Sequence, residues 1–487
     1  MDRLSTKTLS QIAQPVPGYD RSTLRPGILH FGVGNFFRAH QAAYLDRLMN
    51  MGLAQDFAII GAGVMPGDAQ MRETLAAQDH LYTLVEQSAE RSDARVLGPI
   101  VDYIAPGDHR RVIATLADPA IRIVALTITE GGYFIDAATG HFDRAHPAIA
   151  ADAASPDAPQ TVFGLIVAGL RARRAAGHAP FTVMCCDNIP HNGDVTREAV
   201  AGTAQLSDPA LADWILANVA FPNAMVDRIT PATSDRERRM VREDFGIPDQ
   251  APVFCEDFIQ WVLEDNFPAG RPPLEKAGVE FVADVTPWEL MKIRILNGGH
   301  ALIAYPAGLL DIHFVHEAMA DAQVRAFLQK VEADEIIPAV PSVPGTDLAA
   351  YFDRVAERCA NPKIGDTVRR LCLDGSNRQP KFIVPTIAHR LDRDQPVEGL
   401  ALGSALWCRY CAGTSDSGAV IAPNDPSWDR LLARAAAARS DASAWLGMVE
   451  VYGATGSDAR FAQAFARWLA MLWDRGTRAT LDAYLGA

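Results

Sequence analysis

The chain has no positive charge to spare. Among its 487 residues, 45 lysines and arginines stand against 59 aspartates and glutamates, a formal net charge of −14 with a pI near 5.3. That balance leaves no general basic field for a polyphosphate backbone, so nucleic acid is excluded as the expected partner. Long hydrophobic runs are also missing. No stretch approaches the ~18 apolar residues of a membrane span, and the opening MDRLSTKTLSQIAQPVPGYD lacks the apolar core of a secretory signal. The expectation is a cytoplasmic protein with no membrane partner. Cysteine is sparse: seven residues, at 185, 186, 255, 359, 372, 408 and 411. An odd, scattered set suits a reducing compartment and buried free thiols. Cys408 and Cys411 form a CxxC with no second pair to complete a zinc site, and His313 and His316 read as structural, so no metal site is expected. There is no internal repeat and no low-complexity linker.

What remains is a globular composition, 49% hydrophobic and 21% charged, in a chain long enough for two cores. Four apolar runs, ILHFGVG (28–34), FAIIGAGV (57–64), IRIVALTIT (121–129) and FTVMCCDN (181–188), alternate with helical patterns. Near-continuous apolar strands separated by helices predict a parallel sheet covered on both faces, a doubly wound α/β fold. From Thr286 the texture becomes helical. Thr286, Pro287 and Glu289 read as an N-cap, a first-turn proline and an acidic first turn. The expected boundary therefore separates residues 1–285 from a mainly α-helical domain over 286–487. SWDRLLARAAAARS and SDARFAQAFARWLAMLWDRG extend that pattern toward the C-terminus.

Gly32 and Gly34 follow the first predicted strand, where a tight turn and close approach by a pyrophosphate both call for residues without Cβ. A helix opening at Asn35 and Phe36 would direct its free N–H groups at the phosphates. The third glycine of a GxGxxG fingerprint is absent, with Phe37 in its place, and a glycine turn without ligand is the plain alternative. Asp68, after the second strand, is the nearest carboxylate for the adenosine ribose hydroxyls, which would favour NAD over NADP; a solvated loop aspartate is the other reading. TITEGGY (127–133) would bring Thr129 and Glu130 to the nicotinamide side, or simply end a strand.

KIRILNGGH (292–300) lies in an otherwise apolar predicted helix. At about 100° per residue, Glu289, Lys292, Asn297 and His300 share an arc of about 140°. A lysine in a partly desolvated cleft has its charged form disfavoured and serves as a base. Asn297 can donate to an oxygen gaining negative charge, with Asn188 at the end of FTVMCCDN as the partner amide. Gly298 and Gly299 would let another backbone or a ligand come close.

GVGNFFRAHQAAY (32–44), FPNAMVDRITP (221–231), the K-x4-N-x2-H pattern of KIRILNGGH, TITEGGY and CDNIPHNG (186–193) together resemble the polyol-specific long-chain dehydrogenases, the mannitol 2-dehydrogenase family. The resemblance implies an N-terminal Rossmann-type dinucleotide-binding domain, a helical substrate-binding domain, NAD as cofactor, no metal and a monomer. It further implies Lys292 as general acid/base, Asn188 and Asn297 on the alkoxide oxygen, His300 orienting substrate, Asp227 on substrate hydroxyls and Glu289 relaying the proton. Without the family, Asp227 beside Arg228 reads as a local ion pair. Arg370 and Lys381 are candidate substrate contacts, with helix-surface solvation the alternative for Arg370. Relatives commonly carry histidine where this chain has Phe37. The expected reaction is NAD-dependent interconversion of an alditol of mannitol, arabinitol or sorbitol type and its 2-ketose. The alternatives are a uronate (fructuronate or tagaturonate) reductase of the same family and a non-catalytic dinucleotide sensor.

Overall fold

The computed structural model describes residues 3–136 and 139–486. By its contacts the chain divides into two compact units, Met1–Val285 and Thr286–Ala487. Among the described residues, eleven strands lie in the first: β1 Pro26–Phe31, β2 Ala58–Ala62, β3 Tyr82–Gln87, β4 Ser92–Leu97, β5 Ile100–Ile104, β6 Ile123–Leu126, β7 Thr182–Cys185, β8 Ala224–Asp227, β9 Val253–Glu256, β10 Gln260–Glu264 and β11 Glu280–Val282.

The four apolar runs become β1, β2, β6 and β7. With β5 they make one parallel sheet in the order β5-β2-β1-β6-β7. Side chains alternate across it. Ile28, Ile59, Ile123, Ala125 and Met184 enter one core, whereas Leu29, Phe31, Val124, Leu126, Val183 and Cys185 enter the other. Burial on both faces is why these strands read as unbroken apolar runs. The chain winds from β1 outward to β5, then returns to the far side of β1 with β6. The carboxyl ends of β1 and β6 therefore flank the topological switch point, the place where doubly wound sheets hold ligands.

Two smaller mixed sheets, β11-β10-β8 and β4-β3-β9, were not foreseen from the sequence. Their strands are short, carry charges, and mostly pair with partners far along the chain: β3 pairs parallel with β9, and β8 antiparallel with β10.

The second unit is mainly helical. Its central helix, Gly298–Leu309, is buried nearly all round, with Leu302, Ile303, Tyr305 and Leu309 at 2% exposure or less. Gly403 of the helix Glu398–Tyr410 lies so close to Leu302 that a Cβ would come within 2.7 Å of it. The N-terminus of Glu398–Tyr410 is closed by Glu335, whose carboxyl accepts from the backbone N–H of Gly399 at 2.6 Å and of Leu400 at 3.0 Å. Those bonds favour the carboxylate. Burial outweighs them and pushes the Glu335 pKa up to about 7. The folded chain thus holds this proton across a range where the unfolded chain has lost it. The stabilisation is complete below the ordinary value of 4.5 and is lost as pH rises through about 7. Glu335→Gln is expected to become more stable relative to the parent by about 3 kcal/mol between pH 4.5 and 7.5. Urea unfolding at the two pH values checks this.

The seven cysteines are free and buried, Cys408 and Cys411 among them. Among the described residues no helix is long and apolar enough to cross a membrane.

Candidate active site

At the end of β1 the two glycines answer to different needs. Gly32 has φ +82, and a Cβ there would sit 2.1 Å from the Thr127 carbonyl oxygen, so the close approach is by the chain leaving β6. Gly34 is in ordinary extended backbone, and no atom of the described residues lies within 4 Å of the Cβ it lacks. The open face is at Gly34, immediately before the helix Asn35–Ala39, where a diphosphate could find room and free N–H groups. Asn35 does not cap that helix. Its amide donates to the Pro231 carbonyl and the Thr233 hydroxyl at 3.0 Å each and accepts from Arg38 at 2.7 Å. Phe36 stacks on His40 with ring centres 5.0 Å apart. Phe37, at the position of the missing glycine, is fully buried against His30, ring centres 3.7 Å apart. Burial holds the His30 pKa down at about 3, so that imidazole is neutral. A cavity of about 430 Å³ opens beside Asn35, lined also by Arg38, Met71, Thr230 and Thr233. Beyond β2, Asp68 starts the helix Asp68–Ala77, and its Oδ2 accepts from the N–H groups of Val64 at 2.8 Å and Met65 at 2.9 Å. One carboxylate oxygen is thereby committed to the loop.

The chain leaving β6 is held by a residue that sequence reasoning passed over. Asp187 is buried just past β7, and its carboxylate accepts from the N–H of Ile128 at 2.8 Å, the N–H of Thr129 at 2.9 Å and the hydroxyl of Tyr133 at 2.6 Å. Burial raises its pKa, against the pull of those three donors. Thr129 is kept at φ +65, a backbone region that β-branched residues avoid. Thr129 and Glu130 are exposed, as is Asn188 beside Asp187. Asp187 therefore ties the loop bearing Thr129 to the strand end bearing Asn188.

Two of the motifs lock onto each other. The Asn192 amide donates to the carbonyls of Asp187 and Ala224 and accepts from the Ala224 N–H. Asn223 accepts from the N–H of Gly193 at 2.8 Å. A Cβ on Gly193 would lie 2.5 Å from the Phe221 carbonyl oxygen. CDNIPHNG and FPNAMVDRITP thus form one clamp, which ends in the buried Asp227 at the tip of β8. The local-pair reading of Asp227 with Arg228 is not what the structure shows. Arg228 turns to Glu86 in an ion pair and donates to the carbonyls of Ala39 and Glu256.

In the second unit, KIRILNGGH corrects the expected geometry. Thr286–Met291 is α-helical, Lys292–Asn297 is a π turn, and α-helix resumes at Gly298. The Gly298 N–H reaches back five residues to the Ile293 carbonyl. A straight α-helix would set Asn297 about 140° round from Lys292. A turn closed by i→i+5 bonds is wider and brings residue i+5 nearer to the face of residue i. The K-x4-N spacing is the spacing of one π turn. Lys292 is 8% exposed and Glu289 6%, whereas Asn297 and His300 are partly exposed. The glycine pair admits neighbours: the Phe382 carbonyl would stand 3.5 Å from a Cβ on Gly298, and a Glu332 carboxyl oxygen 3.0 Å from one on Gly299. Arg370, half-exposed, is held by Asp366 in a two-point ion pair, and Lys381 is exposed near the end of the helix Gly375–Phe382.

Residues 26–276 match the mannitol dehydrogenase Rossmann domain, and residues 284–473 the mannitol dehydrogenase C-terminal domain. The chain belongs to the mannitol dehydrogenase family. It is 56% identical to the mannitol 2-dehydrogenase of Cereibacter sphaeroides over 97% of this chain and 98% of that one. It is 41% identical to an Aspergillus fumigatus mannitol 2-dehydrogenase over 99% of each. Among solved structures, the Pseudomonas fluorescens mannitol 2-dehydrogenase ternary complex with NAD and D-mannitol superposes with a TM-score of 0.90 at 43% identity, covering 99% of both chains. A D-sorbitol dehydrogenase in substrate-free form gives a TM-score of 0.90 at 38% identity, over 98% of this chain. Within the family fold, the α/β unit and the helical unit correspond to the two matched domains.

Proposed function

We propose that the chain is an NAD-dependent polyol dehydrogenase that oxidises an alditol of mannitol type to the 2-ketose and runs the reverse reduction, with Lys292 as acid/base. The observation that carries this reading is the π turn, which gathers a buried lysine and a partly exposed amide one turn apart on one helix, in a chain 56% identical to a mannitol 2-dehydrogenase.

The first unit is assigned the dinucleotide and the second the substrate-binding elements. The open face at Gly34, the turn at Gly32, and Asn35 and Phe36 at the helix start would hold the diphosphate. Asp68 would accept from the adenosine ribose, with Thr129 and Glu130 toward the nicotinamide. Bound NAD supplies the hydride acceptor. The other steps belong to side chains of this chain. In oxidation, Lys292 Nζ accepts the proton of the reacting hydroxyl. The amides of Asn188 and Asn297 donate to the oxygen as it gains negative charge. His300 orients that carbon, Asp227 accepts from neighbouring hydroxyls, and Arg370 and Lys381 contact the rest of the polyol. Glu289, three residues before Lys292 and like it buried, relays the proton outward. No step in this scheme is assigned to a metal, because the amine and the two amides take the place of a Lewis acid.

The test is a single absorbance assay at the nicotinamide band. Mannitol, arabinitol and sorbitol are supplied with NAD or NADP, and fructose and fructuronate with NADH. Turnover of mannitol and fructose is expected, with NADP at least tenfold poorer. Preference for fructuronate would move the chain to the uronate reductases, and NADH binding without turnover of any sugar derivative would leave only a sensor.

A further inference from the structure

Glu332 is fully buried, and among the described residues neither of its carboxyl oxygens has a hydrogen-bond partner. It opens a second π turn, Glu332–Ile336, which continues the helix Ala322–Val331. This second turn crosses the first at the glycine pair. Glu332 Oε1 would stand 3.0 Å from a Cβ on Gly299, and Ile336 Cδ1 3.8 Å from one on Gly298. Arg294 of the first turn fastens the crossing by donating to the Ala339 carbonyl, three residues beyond the second. Burial, acting alone, raises the Glu332 pKa well above the ordinary carboxyl value.

An unbonded polar group in the interior is a standing penalty, which a leucine of similar volume would remove. An apolar neighbour is accommodated on the same side, since Leu328 Cδ1, one turn back, would stand 3.5 Å from a Cβ on Gly299. A penalty of that kind, placed against the segment that carries Asn297 and His300, is the pattern of a group fixed for function.

We propose that Glu332 is a positioning residue of the polyol site: its carboxyl, wedged against Gly299, fixes the backbone turn that presents Asn297 and His300. This rests on the roles proposed above for those two residues. A displacement of about 1 Å in such a segment is enough to lower turnover by two orders of magnitude.

Glu332→Leu and Glu332→Gln test it in the full-length enzyme, with melting temperature, NADH Kd and polyol kcat and KM as readouts. Glu332→Leu is expected to melt no lower than the parent and to bind NADH equally, yet to lose at least tenfold in kcat/KM for mannitol. Glu332→Gln, which keeps the shape, is expected to recover to within about threefold of the parent. Parent-like kinetics in Glu332→Leu would overturn the inference, and so would a Glu332→Gln as impaired as Glu332→Leu. If Glu332→Leu does not fold, Gly299→Ala crowds the same carboxyl; a tenfold fall in kcat/KM with NADH Kd unchanged supports the inference, and unchanged kcat/KM overturns it. Mannitol turnover by the parent is the control, because its absence removes the functional reading itself.

Discussion

Replacing Lys292 by alanine is expected to lower kcat for mannitol oxidation by about 1,000-fold, within the range of a lost general base, with the Kd for NADH unchanged. The size follows from the chemistry. In the proposed scheme, without Nζ the hydroxyl would have to lose its proton to water while the hydride departs, and the two asparagine amides, still in place, would stabilise an alkoxide that has no efficient route of formation. A small amine in solution is expected to restore part of the rate, because the deletion leaves a space of alkylamine shape in a buried position. The reverse reaction, fructose reduction, is expected to fall by a similar factor, since the same nitrogen would donate the proton. Unchanged turnover with unchanged affinity would falsify the assignment of the base. A large rise in KM with kcat intact would make Lys292 a binding residue instead.

How much of this was legible in the sequence differs from element to element, and the reasons are physical. β1, β2, β6 and β7 were readable because both their faces are buried, and the helical periodicity after Thr286 was readable because its elements are long. β10 was not, since Gln260 and Glu264 at its ends are polar and it pairs with strands on either side of it in the chain. The residues of KIRILNGGH could be singled out by type and spacing, but their angular arrangement could not. A π turn has the composition of an α-helix, and here it lies where the Glu332–Ile336 segment crosses the glycine pair, a neighbour more than 30 residues away in sequence. Asp68 was visible as a carboxylate after a strand, whereas its bonds to Val64 and Met65 were not. Arg228 next to Asp227 suggested a local pair, but its partner Glu86 lies 142 residues away.

Asp187 shows the same limit with a larger consequence, because the groups it serves lie 54 to 59 residues before it. Asp187→Ala would strand the N–H groups of Ile128 and Thr129 and the hydroxyl of Tyr133 in a mostly buried site. At about 1–3 kcal/mol for each unsatisfied group, the loss is expected to be about 4 kcal/mol, read from urea unfolding. Function is expected to fall further than stability alone accounts for. Thr129 sits at φ +65 with its N–H held by Asp187, and relaxation of that residue once the bond is lost would carry Glu130 with it. Asn188, next in the chain to the lost carboxylate, would lose the fixed position that its proposed role requires. At a temperature where the variant is still folded, NADH affinity is expected to fall at least tenfold and mannitol kcat at least a hundredfold. Asp187→Asn separates the two effects. Its amide oxygen can still accept from one backbone N–H, but its NH2 faces the other donor, so stability should recover in part while the loop carrying Thr129 remains loose and kcat stays low. A variant that melts early but turns over mannitol normally at low temperature would confine Asp187 to the fold.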